Sequence, residues 1–166
     1  MNTNRANVEV AKYPNPTGAP THAALLWALT LLFAARVLGQ AIQHWWPQTY
    51  LPAFGAFQGS GLEYPVLLSA QVIILALMVW AASRVGAGTL SPSRVQLRFL
   101  TGFGGLYMAG SVLRIVIGLA VPVAPYWFKA WIPAFFHLVL AGFVITVASY
   151  ARQHLADSAK RPGANQ

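Results

Sequence analysis

The chain has no cysteine and only three carboxylates, Glu9, Glu63 and Asp157. The first absence excludes disulfides, thiolate catalysis and Cys-ligated zinc or iron–sulfur centres. The second leaves no carboxylate deep in an apolar segment for proton coupling. Charge is scarce as well. Charged residues make up 8% of the 166, whereas soluble domains average about 25%. A length of 166 residues fits one domain. Such a domain could not hide a composition that is 57% hydrophobic, so lipid is the expected solvent. The net charge of +8 does not imply nucleic acid. The cations lie at the edges of apolar runs, and no basic face interleaved with aromatics is present.

What the chain does have is four long apolar stretches, at His22–Gln43, Tyr64–Arg84, Phe99–Val121 and Trp131–Ala151. Each reaches the ~20 residues that cross a hydrocarbon core. The expected fold is all-α, a membrane four-helix bundle over residues 22–151. Residues 1–21, with Pro14, Pro16, Gly18 and Pro20, read as a disordered tail, and Thr21 as the first N-cap. Residues 152–166 read as a disordered basic tail. The first stretch lacks the dense basic region and cleavage site of a signal peptide.

The third stretch carries Arg114 inside "VLRIVIGLAV". A central arginine costs ~2.5–3.5 kcal/mol on the insertion scale, and each Leu, Ile, Phe or Val returns ~0.3–0.6. Eleven such residues lie between Phe99 and Val121. They return roughly 3–7 kcal/mol, so the segment inserts with little margin.

Lysine and arginine placement gives the orientation. Arg5, Lys12, Arg84, Arg94, Arg98, Arg152, Lys160 and Arg161 fall on one side, and Lys129 alone on the other. Both termini are therefore expected in the cytoplasm, in a multi-pass protein of a bacterial inner (plasma) membrane. Trp45, Trp46, Tyr50, Tyr126, Trp127 and Trp131 fall on the outer side, as an interfacial aromatic belt would. The loop "HWWPQTYLPAFGAFQGSGLEYP" is apolar and turn-rich, and reads as lying among headgroups or dipping inward.

On this topology the polar residues segregate to the outer half. Arg36 and Arg114 each lie seven residues from an outer helix end, ~10 Å deep at 1.5 Å per residue. Gln40 shares a face with Arg36. Glu63 is at the mouth of the second span, Gln71 two turns deeper, and His137 six residues into the fourth. Small-residue stripes run through Tyr107, Gly110, Ser111, Arg114 and Gly118, and through Ala130, Ala134, His137, Ala141 and Ala148. Such stripes let helices approach closely. The candidate ligand-binding set is thus Arg36, Gln40, Glu63, Gln71, Arg114 and His137. Intramembrane ionisable groups are functional candidates by default. Each also has a plainer reading. The arginines can snorkel, Glu63 can pair with one of them, and the glutamines and His137 can hold helices together. The glycines of "GFGG" miss the spacing of a phosphate loop.

The stretches "LEYPVLLSAQ" and "WIPAFFHLVLAGF", with Tyr64, Pro65, Gln71, Pro133 and His137, resemble a set of small bacterial four-helix integral membrane proteins of unknown function. The resemblance implies the membrane fold and supplies no activity.

Glu63 can neutralise one arginine and not two. If both arginines face inward, the surplus positive charge favours an anion, a carbonyl-rich head group such as a quinone, or a lipid phosphate over a metal cation. The leading reading is a non-enzymatic membrane protein that binds an anionic or quinone-like amphiphile or docks a larger complex. Two other readings stay open: a small transporter acting as a dimer, and a b-type haem subunit using His44 and His137. A hydrolytic enzyme lacks support, since Ser111 has no evident base and no Asp lies near the cluster. No resident cofactor is called for beyond the quinone or haem readings. The expected partners are the lipid bilayer and a second copy or larger membrane complex.

Overall fold

The structure, a computed structural model, describes residues 19–59, 61–123 and 125–159, without the side chains of 126 and 127. The described residues are helical and contain no strand. Four long helices, α1 (Ala19–Trp45), α3 (Tyr64–Gly86), α4 (Arg94–Ala120) and α6 (Trp131–Ala159), are each long and apolar enough to cross a membrane. Two short helices, α2 (Phe54–Phe57) and α5 (Tyr126–Lys129), lie in the connections between α1 and α3 and between α4 and α6.

The long helices begin and end where backbone hydrogen bonding dictates, and not where charge begins. At the end of α3, Gly88 takes φ 65°, which only glycine adopts without strain. There Gly88 N–H donates to Val85 O and Thr89 N–H to Arg84 O, which closes the helix in a Schellman motif. At the start of α4, the Ser93 hydroxyl accepts from Gln96 N–H, and the Gln96 side chain accepts from Ser93 N–H. This capping box starts α4 at Arg94, five residues before the expected span.

Two further boundaries correct the sequence reading. α1 already includes Ala19, so Thr21 lies inside its first turn and is not the N-cap. The rest of the N-terminal tail falls outside the described residues. α6 runs to Ala159, so the expected disordered tail does not begin at 152. The segment "ARQHLADSA" contains good helix formers and neither glycine nor proline, so charge ends the apolar run without ending the helix. Pro133 sits in the first turn of α6, where its missing N–H removes no intrahelical bond, so it starts the helix and does not kink it.

The helices pack in the order α3–α1–α6–α4. α3 and α4 do not lie side by side, so the array is open along one edge. The apolar core lies between α1, α3 and α6, around Leu26, Phe33, Met78, Val85, Val147 and Tyr150. α4 contributes little to that core. Its buried residues are Gly104, Ser111 and Arg114. Gly104 meets Val144 and Ile145 of α6, and Gly118 is so close to Phe128 that a Cβ would fall on its carbonyl oxygen. The small-residue stripe on α4 therefore packs on α6 and α5, with one exception. Gly110 has nothing within 4 Å of a Cβ position.

Candidate functional site

Arg36 and Gln40 stand one turn apart on α1, which puts both on the same face. Both are buried. Arg36 Nη1 donates to Gln40 Oε1 at 3.2 Å, and Gln71 Nε2 of α3 donates to the same oxygen at 3.1 Å. The second guanidinium arm reaches the loop. Arg36 Nη2 donates to the Phe57 carbonyl at 3.0 Å. Phe57 ends α2, and its side chain is buried, so the turn-rich loop does dip into the bundle. The Phe136 ring of α6 lies 5.5 Å from the guanidinium carbon, within cation–π range. Arg36, Gln40 and Gln71 thus form one sealed polar cluster roofed by the loop.

Arg114 and His137 belong to a second arrangement, on the other flank of α6. Tyr107, Ser111 and Arg114 follow one another at four- and three-residue steps on α4, and face His137. The Tyr107 hydroxyl and His137 Nδ1 share a hydrogen bond. Together with Phe103, Leu106 and Gly110 these residues line a groove of about 430 Å³. Phe99, Phe103 and Tyr107 stack in succession along α4, with ring centroids 5.9 and 5.8 Å apart. The groove therefore has one cationic, hydrogen-bonding end and one aromatic and aliphatic wall.

The two arrangements meet at α6 and at the loop. Phe136 touches Arg36, while its neighbour His137 faces the groove and lies within Coulombic reach of both arginines. At Gly59 an added Cβ would lie 2.6 Å from Pro133 Cβ and 3.5 Å from Arg114 Nη2, so the loop passes close to the second arginine as well.

Of the six residues expected to converge, Arg36, Gln40 and Gln71 meet in the sealed cluster, and Arg114 and His137 in the groove. Glu63 joins neither. It is exposed at the N-cap of α3, without an ion pair among the described residues. His44 and His137 are not brought together. His44 packs in a separate ring cluster, with ring centroids 4.2 Å from Tyr64, 5.0 Å from Phe54 and 5.5 Å from Trp45. Trp45, Trp46, Tyr50 and Trp131 are exposed at that end, while the side chains of Tyr126 and Trp127 lie outside the described residues. Residue patterns alone missed the Phe57 carbonyl, because a backbone acceptor leaves no trace in side-chain identity. They also missed Tyr107 as the partner of His137, although it stood on the right stripe. Where the start of α1 meets the end of α6, Tyr150 lies between His22 and His154, a polar cluster in the half of the bundle expected to be apolar.

No protein-family model, no curated protein and no solved structure matches this chain.

Proposed function

We propose that this is a non-enzymatic multi-pass membrane protein that binds an amphiphile in the α4–α6 groove. The head is anionic or carbonyl-rich, as in a phospholipid or a quinone, and rests against Arg114 and His137. The tail runs along Phe103 and Leu106 toward the middle of the bilayer. The carrying observation is the polarity of that single groove, cationic at one end and apolar along its wall. Phe103 lies eleven residues from Arg114, or about 16 Å along the helix. That separation suits a head and a chain, not a compact solute. The missing contact between α3 and α4 gives such a tail a lateral way in from lipid.

In this reading both termini are cytoplasmic and the membrane is a bacterial inner membrane. The exposed cations Arg84, Arg94, Arg98 and Arg152 support that orientation, since they gather at one end of the bundle. The exposed tryptophans gather at the other.

The test is mass spectrometry of small molecules retained by the full chain in mild detergent, with Arg114→Gln as the comparison. An acidic lipid or quinone held by the wild type and lost from the variant supports the reading. Equal retention by both, or a stable protein partner with no small molecule, would replace it with lipid solvation or partner docking. Topology reporters fused after residue 58 and after Lys129 should report the periplasm, and one after Arg152 the cytoplasm. The reverse pattern would put the groove's cationic end in the inner leaflet.

A further inference from the structure

The sealed cluster carries a charge that its own residues do not balance. Arg36 is 8% exposed, Gln40 0% and Gln71 4%. No carboxylate pairs with Arg36 among the described residues. Glu63 is exposed, and Asp157 lies near the far end of α6. A guanidinium stays protonated at any physiological pH, so it cannot escape its burial by losing a proton. Burying an unpaired charge is expensive, and structures answer it with a counter-charge.

The atoms left over show the sign of that counter-charge. Arg36 Nε and Gln40 Nε2 are both buried and have no hydrogen-bond partner among the described residues. Both can only donate. The Tyr64 hydroxyl, also buried and unpartnered, can donate too and lies within Coulombic reach of Arg36. Gln71 Oε1 is the one unpartnered atom of the cluster that must accept. The set is donor-rich beside a fixed cation. A metal ion would be repelled, and a neutral water would leave the charge unbalanced.

We propose that Arg36 and Gln40 bind a small inorganic monoanion of halide size within the bundle. One uncompensated cation calls for one negative charge. The size follows from the enclosure, because Phe57 roofs the cluster and Phe136 lies against the guanidinium. A spherical ion needs only the few N–H groups present, whereas a phosphate or an amphiphile head brings more acceptor oxygens than the cluster has free donors. The site is distinct from the α4–α6 groove, so the loss of the groove reading would leave it standing.

The experiment measures thermal unfolding of the purified full chain in detergent. Sodium chloride or bromide is titrated against sodium gluconate at constant ionic strength. The wild type should be stabilised by halide. Above the dissociation constant, each tenfold rise in halide should lower the unfolding constant by about tenfold. Arg36→Gln should abolish the response, while Arg114→Gln should keep it. Gln40→Glu places a carboxylate beside Arg36 and should give a folded, halide-insensitive protein, which decides the matter if Arg36→Gln does not fold. A flat wild-type titration would overturn the proposal, as would a halide response that survives in Gln40→Glu. A response lost in Arg114→Gln but kept in Arg36→Gln would move the anion to the groove and overturn it equally.

Discussion

Arg36 on α1 and Arg114 on α4 occupy different kinds of surroundings. Arg36 is enclosed by α1, α3, α6 and the dipping loop, and its bonds run to an amide side chain and a backbone carbonyl. Arg114 is buried too, at 4% exposed, but it lines a groove on the helix that contributes least to the core. The difference comes from what each helix packs against. α1 is central, with α3 on one side and α6 on the other, so a polar residue facing either neighbour is sealed. α4 packs chiefly on α6, so its inward face is covered on one side alone. The packing order encloses Arg36 among three helices and the loop, and leaves Arg114 between α4 and α6 beside the groove.

The comparison breaks most visibly at Gln40. Its Oε1 serves two donors, one charged. Gln40→Leu strands both in a sealed site. An interhelical hydrogen bond in a membrane averages only about 0.6 kcal/mol. A buried charged donor left unsatisfied costs more, about 1–3 kcal/mol or above. The guanidinium dominates, and we expect a loss of about 2–4 kcal/mol. Reversible unfolding in mixed detergent would measure it. A change below the average helix-pair bond would mean that water reaches Arg36, and the contrast with Arg114 would collapse.

The residues that set this contrast were only partly legible in the chain. The four spans were, because 18-residue apolar windows have few other uses. The spacing of Arg36 and Gln40 placed them on one face, as found. The pairing of Gln40 with Gln71 was not legible, since it depends on α3 lying beside α1 at one register. The packing order could not be read either. Every long helix has an apolar surface on all sides in lipid, so hydropathy does not say which side meets a neighbour. Helix ends were misjudged for the same reason. Ser93 and Gln96 spell a capping box in "SRVQ", but a search for apolar runs starts five residues later.

A smaller effect is expected at the groove. Tyr107→Phe removes the bond to His137 and leaves one ring nitrogen without its partner. Both residues are half-buried beside an open groove, so solvent or ligand offers replacement. The loss in stability should be about 0.5–1.5 kcal/mol. If the Tyr107–His137 pair orients the ligand's head, retention of the amphiphile should fall by about two- to tenfold, the same energy expressed as affinity. The measurement is the molar ratio of co-purified small molecule to protein. An unchanged ratio together with the expected stability loss would assign the pair to helix packing and narrow the head site to Arg114.

The smallest effect on the fold, and the sharpest on the groove, belongs to Gly110. A Cβ added there meets nothing within 4 Å, and replacing a mid-helix glycine favours the helix by up to about 1 kcal/mol. Leucine at 110 should therefore leave thermal stability unchanged or slightly raised. It would also fill the groove between the apolar wall and Arg114, where the tail must join the head. Gly105 supplies the control. It is likewise open, on the same helix, with nothing within 4 Å, but it does not line the groove. Gly105→Leu makes the same change in volume, hydrophobicity and helix propensity. We expect Gly110→Leu to lose the co-purified amphiphile and Gly105→Leu to keep it, with both variants as stable as the wild type. If both keep it, the molecule is bound elsewhere on the lipid-facing surface. If both lose it, the whole exposed side of α4 is the contact, and the groove has no special standing over the rest of that helix.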